Sequence, residues 1–234
     1  VVNEVLESDV QRVILEKPCS PDLSTARALL DDLDDRVQMV GVNYTRRYDP
    51  LHRRLFSILA EEGVSGGTGH YTAGILNTGS HWLDGLHSAG AVVDEVYASA
   101  RYGGPDPTPD VSLRLRGGGL VHLHAHDVKE ILIYETDLFG PTSRVQLINS
   151  GTEGRLYRRA PSAMYSGYHE LRQPEVTLPL GLTNPLLPVV DDAVSSVQEG
   201  RGMRCSLADA VAVHRVIDGV HRSLKEGSWV RLTD

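Results

Sequence analysis

Apolar runs and polar turns alternate at the start of the chain. A short apolar run from Val13 to Leu15 is followed by Glu16, Lys17 and Pro18, and residues 38–44 again have strand character. The segment between these runs has apolar residues at helical spacing, namely Ala26, Leu29, Leu30 and Leu33. A strand, a helix and a second strand in this order predict a βαβ unit of a parallel sheet.

Two more helices are predicted before the middle of the chain. Residues 50–62 are amphipathic, with an apolar stripe formed by Leu51, Leu55, Ile58 and Leu59. Residues 75–86 also have helical spacing and include His81. The intervening residues 63–69 contain four glycines in seven positions and predict a loop. No GxGxxG pattern opens a helix there, so phosphate binding is not favoured.

Alternation replaces helical spacing from Val92 to about Tyr157. Glycine and proline separate the alternating runs, which indicates an antiparallel meander with one solvated face. Residues 161–188 are irregular and predict a strand followed by a loop. A helix is predicted over residues 206–225, with Ser206 as its N-cap and Gly227 just past its end.

These elements predict an α+β fold. Its main part is an open, mostly antiparallel sheet with helices on one face, and the βαβ unit precedes this sheet. The chain has 234 residues, of which 41% are hydrophobic and 23% charged. These values are ordinary for a globular protein that buries a sizeable core.

The charge balance excludes some partners. The net charge is −8 at pH 7, and basic residues cluster only in pairs such as Arg46 and Arg47, so no nucleic-acid partner is expected. No apolar run approaches the roughly 20 residues that span a bilayer, so no membrane partner is expected. The chain starts with acidic residues at Glu4, Glu7 and Asp9, unlike a signal peptide, and a cytoplasmic protein is expected.

The two cysteines, Cys19 and Cys205, do not have a metal-binding spacing. Reduced thiols of a cytosolic protein are expected, with a disulfide as the alternative. Because the chain does not begin with Met, a fragment or a processed product is also expected.

The first candidate site is Glu16-Lys17-Pro18, at the carboxyl end of the first predicted strand. Ligands of open α/β sheets bind at this edge. A lysine there can donate a hydrogen bond to a substrate hydroxyl and favour its deprotonated form, which removal of a hydride from a carbinol requires. An ordinary turn is the alternative.

The second candidate site is Asn77 and His81, with Asp84 near the same helix face. Residues four apart share a face of a helix, so Asn77 and His81 should face the same space. Histidine is the natural general base near neutral pH. A histidine with satisfied hydrogen bonds and no catalytic role is the alternative.

The third candidate consists of His122, His124 and His126, which alternation places on one face of a strand. An HxH pattern is compatible with zinc. No HxxH, HExxH or cysteine partner accompanies it, so a solvated or interface face is predicted and no metal is expected.

Taken in order, several segments resemble the glucose–fructose oxidoreductase and inositol dehydrogenase (Gfo/Idh/MocA) family. Ile14 to Pro18 and the helix after it are similar to the family's Glu-Lys-Pro strand end and its following helix. Residues 42–50, VNYTRRYDP, are similar to its next strand, and residues 74–84 to the helix that bears the active-site histidine. The similarity continues into its sheet strands and closing helix at residues 134–140, 144–147 and 206–223.

The resemblance implies a Rossmann domain followed by a domain with a large open sheet. It also implies hydride transfer between NAD or NADP and a hydroxyl of a sugar, a polyol or a nucleotide-linked sugar. In this comparison Lys17 polarises the reacting oxygen, and His81 is the general base in oxidation and the acid in reduction. Asn77 stands where many members carry Asp, which weakens any dyad in which a carboxylate orients the histidine.

The resemblance assigns further residues to the site. The implied cofactor-binding residues are Glu16, Lys17, Pro18 and Arg47. The implied substrate-binding residues are Thr45, Arg47, Asn77, His81 and Tyr165.

The family's Gly-rich dinucleotide turn should precede Glu16 by roughly 90 residues. Only 15 residues do so here. We therefore expect residues 1–45 to be the remnant of a Rossmann domain and residues 46–234 to be a domain for substrate binding and oligomerisation. Binding of NAD(P) by this chain is expected to be impaired.

Three functional hypotheses follow. The favoured one is an NAD(P)-dependent oxidoreductase, and the alternative is a catalytically inactive binding or assembly module of the same fold. A metal hydrolase built on the three histidines is the third. Self-association as a dimer or tetramer through the sheet is expected, because an uncovered apolar face favours a partner.

Overall fold

The computed structural model describes residues 10–34, 37–127, 130–172, 176–179 and 184–233. The acidic residues Glu4, Glu7 and Asp9 lie outside the described residues. Cys19 and Cys205 are both free thiols. None of the helices in the described ranges is long and apolar enough to cross a membrane.

The βαβ unit predicted at the start of the chain is confirmed. Strand β1 (Arg12–Leu15) and strand β2 (Met39–Val42) are parallel, and helix α1 (Leu23–Asp34) connects them. The apolar positions Ala26, Leu29 and Leu33 of α1 are buried. This face of α1 packs against the long helix near the end of the chain, which joins the unit to the rest of the core.

A short helix α2 (Thr45–Tyr48) leads into helix α3 (Pro50–Glu62), whose predicted bounds are confirmed. The carboxylate of Asp49 accepts hydrogen bonds from the backbone N–H groups of Leu51 and His52, so it caps the helix. Pro50 occupies the first turn, where its missing N–H has no intrahelical partner to lose.

The prediction of a loop over residues 63–69 is wrong. Strand β3 (Gly66–Tyr71) occupies most of this segment and lies in the interior of the main sheet. Its glycines serve close packing. A Cβ atom on Gly69 would lie 2.2 Å from the ring of Trp82, so only glycine lets this ring pack against the strand.

The remaining strands form the main sheet and its edges. They are β4 (Val93–Tyr102), β5 (Thr108–Leu115), β6 (Leu120–Ala125), β7 (Tyr134–Phe139), β8 (Ser143–Ile148), β9 (Glu153–Pro161), β10 (His169–Leu171), β11 (Val176–Pro179) and β12 (Val230–Arg231).

The sheet contains ten described strands in the order β10-β9-β8-β7-β3-β6-β5-β4-β12, with β11 also paired to β9. It is not a simple meander as predicted, because β3 is inserted between β6 and β7, parallel to the former and antiparallel to the latter. The α+β class with a large, mostly antiparallel sheet is nevertheless confirmed.

The two faces of the sheet differ as the alternation predicts. In β6, Val121, Leu123 and Ala125 are buried on the helix-covered face. The opposite face carries polar side chains that bond to one another, for example Gln146 to Asp137 at 2.9 Å. It also exposes apolar side chains such as Leu120 and Phe139. Self-association as a dimer or tetramer through the sheet stays a prediction.

The helices after β3 complete the covered face. A π-helical turn (Gly74–Gly79) runs directly into helix α4 (Ser80–Ser88), and α6 (Leu207–Glu226) ends the helical part. The predicted cap of α6 is confirmed, since Ser206 and Asp209 form a reciprocal capping box. Helix α5 (Leu187–Glu199) was not predicted, because its exposed apolar residues Val190, Val194 and Val197 obscure an amphipathic pattern.

A buried histidine links α3 to the turn between β8 and β9. Nε2–H of His52 donates to the carbonyl oxygen of Gly151 at 2.8 Å, and the ring stacks on Tyr134. Burial lowers the pKa of His52 to about 4, below its ordinary value of 6.5. The folded protein therefore keeps this imidazole neutral where the unfolded chain binds a proton.

This difference predicts an acid-sensitive stability. Between pH 6.5 and pH 4 the unfolded state binds the extra proton, so the free energy of unfolding falls as the pH is lowered through this window. In urea unfolding, we expect His52→Gln to reduce the loss of stability between pH 7 and pH 4.5 by about 2 kcal/mol. The matched variant His221→Gln, at an exposed position of α6, should leave that loss unchanged. An equal pH dependence of His52→Gln and the parent chain would contradict the prediction.

Candidate active site

The candidate site begins at the carboxyl end of β1. Oε1 of Glu16 accepts a hydrogen bond from Nδ2 of Asn43 at 2.9 Å, which ties the ends of β1 and β2 together. Lys17 follows, partly buried, and its peptide bond to Pro18 is cis. Glu16 and Pro18 flank Lys17 at the end of β1.

Lys17 reaches the π-helical turn. Its Nζ donates to Oδ1 of Asn77 at 2.6 Å and lies 3.3 Å from the backbone oxygen of the same residue. These two residues are 60 positions apart in sequence, and the structure brings them into direct contact. Burial, followed by the positive charge of Arg46, lowers the pKa of Lys17 from its ordinary value of 10.5.

His81 lies one residue into α4. Its ring meets the ring of Tyr44 edge-on, with centroids 5.4 Å apart. Burial, followed by the positive charges of Lys17 and Arg46, lowers the pKa of His81 to about 3. The imidazole is therefore neutral at neutral pH.

Arg46 contributes the second positive charge of the site. Its guanidinium lies 3.9 Å from the centroid of the Tyr134 ring, and Nη2 donates to the carbonyl oxygen of Ser150 at 3.3 Å. Arg46 was not among the predicted site residues. The only sequence signal for it was its place in the pair Arg46-Arg47, of which Arg47 was predicted to lie in the site.

Arg47 points elsewhere. Its guanidinium forms two hydrogen bonds with the buried carboxylate of Asp84, at 2.6 and 3.2 Å, and lies 3.3 Å from Oδ1 of Asp209. The structure therefore gives Arg47 carboxylate partners within the helices and does not bring it together with Lys17 and Asn77. Asp84 likewise faces Arg47 and not the space between Asn77 and His81.

The other predicted site residues are more dispersed. Thr45 begins α2 next to Tyr44, whose ring contacts His81. Tyr165 is 63% exposed in the turn between β9 and β10, where its ring contacts Tyr168. Tyr165 therefore belongs to the outer edge of the sheet in this structure.

Several buried polar atoms around the site lack a hydrogen-bond partner in the described part of the chain. They include Oδ1 of Asn43, the hydroxyls of Tyr44 and Tyr134, Nε of Arg46, Oδ2 of Asp49 and Nδ1 of both His52 and His81. Buried polar groups are normally satisfied by protein or water.

Ligands of parallel units bind at the carboxyl ends of the strands. Glu16, Lys17 and Pro18 stand at this end of β1 and are the residues that would contact the nicotinamide end of a dinucleotide. Within the described ranges, no Gly-rich turn joins a strand of the βαβ unit to a helix that could hold a pyrophosphate.

A cavity of about 550 Å³ lies away from this cluster. It is lined by one face of α3 together with Arg47, Ser88 and Arg204. Lys17, Asn77 and His81 do not line it, so its size alone does not identify the site.

The three histidines of the third candidate lie on the open face of the sheet. His70 of β3 joins them: its ring centroid is 5.3 Å from that of His124 and 5.2 Å from that of His126. His122 instead bonds to Ser112 at 2.9 Å. Among the described residues, no group of three or more His, Cys, Asp or Glu side chains is arranged to hold a metal ion.

Among the comparisons with known proteins, only the one with solved structures finds a similarity. No family profile and no curated protein matches the sequence. Levoglucosan dehydrogenase in complex with NADH and levoglucosan has 15% identity and a TM-score of 0.80 over 100% of this chain and 76% of that chain.

Two further solved structures are similar. An oxidoreductase from Agrobacterium radiobacter in complex with NAD⁺, L-tartaric acid and magnesium has 15% identity and a TM-score of 0.76, over 99% of this chain and 75% of that chain. A super-repressor mutant of Gal80p from Saccharomyces cerevisiae has 15% identity and a TM-score of 0.78, over 99% and 76%.

The chain thus has the fold of Gfo/Idh/MocA-type oxidoreductases, and the resemblance seen in its motifs is confirmed at the level of the fold. Structures with this fold have been solved with NADH or NAD⁺ bound.

The Arg47–Asp84 pair generates a stability prediction. The two side chains are 10% and 2% exposed, so removing the carboxylate of Asp84 leaves the buried guanidinium of Arg47 with only the more exposed carboxylate of Asp209, at 3.3 Å. Asp84→Asn should lower the free energy of unfolding by about 3 kcal/mol in urea denaturation. Asp94→Asn is the matched control, because it removes an exposed ion pair to Arg116 and should cost less than about 1 kcal/mol. Equal stabilities of the two variants would show that the buried pair does not hold the helices together.

Proposed function

We propose that this chain carries the catalytic residues of an NAD(P)-dependent oxidoreductase that acts on a carbinol group of a sugar or a polyol. The observation that carries the proposal is the contact of Lys17 with Asn77 beside a neutral His81, at the carboxyl end of a parallel strand. Levoglucosan dehydrogenase, which has this fold, was solved with NADH and levoglucosan, and this supports the proposed cofactor and substrate class.

Lys17 supplies a positive hydrogen-bond donor for the reacting oxygen. A protonated amine near a hydroxyl stabilises the alkoxide that develops as the hydride leaves the carbon. The amide of Asn77 holds Nζ at 2.6 Å without neutralising its charge. A carboxylate at this position would form an ion pair with Lys17, so Asn77 leaves more of the charge available to substrate.

His81 supplies the proton acceptor. Because its imidazole is neutral at neutral pH, it can take the hydroxyl proton in oxidation and return it in reduction. Lys17 helps to keep it neutral, since a second positive charge close to Nζ is unfavourable. NAD(P), when bound, takes up the hydride or returns it. Arg46 adds positive charge on the side of Tyr134 and contributes to binding of the developing alkoxide.

The fold by itself does not require catalysis, since a super-repressor mutant of Gal80p also has it. Lys17 at the strand end and His81 at the start of α4 are the reason to favour an enzyme over a binding or assembly module. The proposal includes substrate contacts by Thr45 and Tyr165, a cytoplasmic location and assembly as a dimer or tetramer.

Substitution of the two central residues is the first test. Lys17→Met and His81→Asn should each lower kcat/KM for NAD(P)-linked oxidation by about 10²-fold to 10⁴-fold across a panel of hexoses, inositols and nucleotide sugars. Lys225→Met and His221→Asn are matched controls at exposed positions of α6 and should stay within about twofold of the parent. Turnover that survives both site substitutions would refute the assignment of Lys17 and His81 as catalytic residues. Absence of any turnover by the parent chain would favour the binding or assembly module.

The pH dependence of oxidation is the second test. His81 must be neutral to act as a base and is so above about pH 3, whereas Lys17 must be protonated and is so below its lowered pKa. We expect a plateau across neutral pH, no acidic limb near 6.5, and an alkaline limb below 10.5. Asn77→Asp should move the alkaline limb to higher pH, because a carboxylate favours protonated Lys17. An acidic limb near 6.5 that disappears in His81→Asn would contradict this account.

A further inference from the structure

The π-helical turn that carries Asn77 is held by the loop between β4 and β5. A loop carboxylate, that of Asp106, accepts hydrogen bonds from the backbone N–H groups of Leu76 and Asn77, both at 2.9 Å. The N–H of Gly74 donates to Oγ1 of Thr108 at 3.0 Å, and that of Ile75 donates to the carbonyl oxygen at position 107 at 2.9 Å. Four consecutive N–H groups of the turn are thus bound by three consecutive residues, 106–108, at the end of the loop and the start of β5.

The approach of this loop restricts the sequence of the turn. Gly74 has a φ of +90°, and a Cβ atom there would lie 1.9 Å from Oδ2 of Asp106. The preceding Ala73 is in the left-handed region with a φ of 61°. An ordinary helix start is capped by the residue that immediately precedes it. Here the turn is capped by a carboxylate about 30 positions away in the sequence, and a non-glycine residue before it has a rare backbone conformation. Such conformations concentrate at functional sites.

We propose that Asp106 is a positioning residue of the candidate site, because it fixes the backbone of Asn77 and through it the amide that binds Lys17. Its importance for hydride transfer rests on the function proposed above. Asp106 itself is outside hydrogen-bond contact with Lys17 in the structure, so it acts through Asn77 and through its charge.

The negative charge of Asp106 acts on the pKa of Lys17 in a known direction. The charged or titratable groups that face Lys17 are Glu16 from its own strand end, Arg46 from α2, His81 from α4 and Asp106 from the β4–β5 loop. Burial and Arg46 lower the pKa of Lys17, while Glu16 and Asp106 raise it. Removing the carboxylate of Asp106 therefore shifts Lys17 toward the neutral amine.

The chain is suited to a direct measurement of this effect, because it has only three lysines, Lys17, Lys129 and Lys225. Acetic anhydride reacts with neutral amines, and peptide mass spectrometry reads each lysine separately. We expect Asp106→Asn to raise the labelling rate of Lys17 relative to Lys225, at fixed pH, by about twofold to fivefold. Asp110→Asn is the matched control, because Asp110 also accepts a backbone N–H, that of Ala125, and pairs with Arg101. It should leave the ratio unchanged.

A second variant controls for the possibility that Asp106→Asn unfolds the protein. Asp106→Ser removes the charge but keeps a side-chain oxygen that caps helix starts well. It should raise the Lys17 ratio in the same way, with a far-ultraviolet circular dichroism spectrum like that of the parent. An unchanged ratio in a folded Asp106→Ser protein would overturn the proposal, because a purely structural cap would lower the melting temperature without altering the amine.

The labelling test is separate from the test of function, because it needs neither cofactor nor turnover. If the parent chain oxidises a polyol, Asp106→Ser should also lower kcat more than it changes KM and move the alkaline limb to lower pH. If no turnover is found, the proposed function fails, while the labelling ratio still decides whether Asp106 positions Lys17.

Discussion

A buried ion pair between Arg47 and Asp84 joins the helices on which the candidate site is built. It links α2 to α4, and Asp209 extends the link to α6. Burying two charges is expensive unless the geometry is good, and here the guanidinium bonds both oxygens of the carboxylate. Because neighbouring residues of a helix point in different directions, anchoring Arg47 in the interior turns Arg46 toward Tyr134 and the site. The pair therefore decides which arginine acts on Lys17 and His81.

The position of His81 depends on a second packing constraint. The preceding turn is held by the β4–β5 loop, and the next residue, Trp82, packs its ring directly against Gly69 of β3. Nε1–H of Trp82 also donates to the carbonyl oxygen of Glu135 at 3.0 Å, on the neighbouring strand. A glycine inside a strand normally weakens it. Here it lets α4 approach the sheet closely enough to fix the start of the helix and with it the imidazole.

The electrostatics of the cluster follow from these positions. Two positive groups, Lys17 and Arg46, share a partly buried space with a histidine, and their charges together with burial keep that histidine neutral. A positive donor and a neutral acceptor at one place are what removal of a proton and a hydride from a carbinol needs. The neutral amide of Asn77 holds the donor without cancelling its charge. The negative charges of Glu16 and Asp106 raise the pKa of Lys17 and so favour its protonated form.

Local sequence signals determined the βαβ unit, α3, the capping box of α6 and the candidate residues Lys17, Asn77 and His81, because periodicity, caps and strand-end motifs act over a few residues. Tertiary contacts decided the rest. The strand nature of residues 66–71 depends on the Trp82 ring and on two partner strands far away in sequence. Arg46 and not Arg47 faces the site because Arg47 pairs with the carboxylate of Asp84, 37 positions away. The backbone of Asn77 is fixed by the carboxylate of Asp106, 29 positions away. Such partners meet only when the chain folds. The sequence pattern therefore identifies the reactive groups but not the tertiary contacts that orient them.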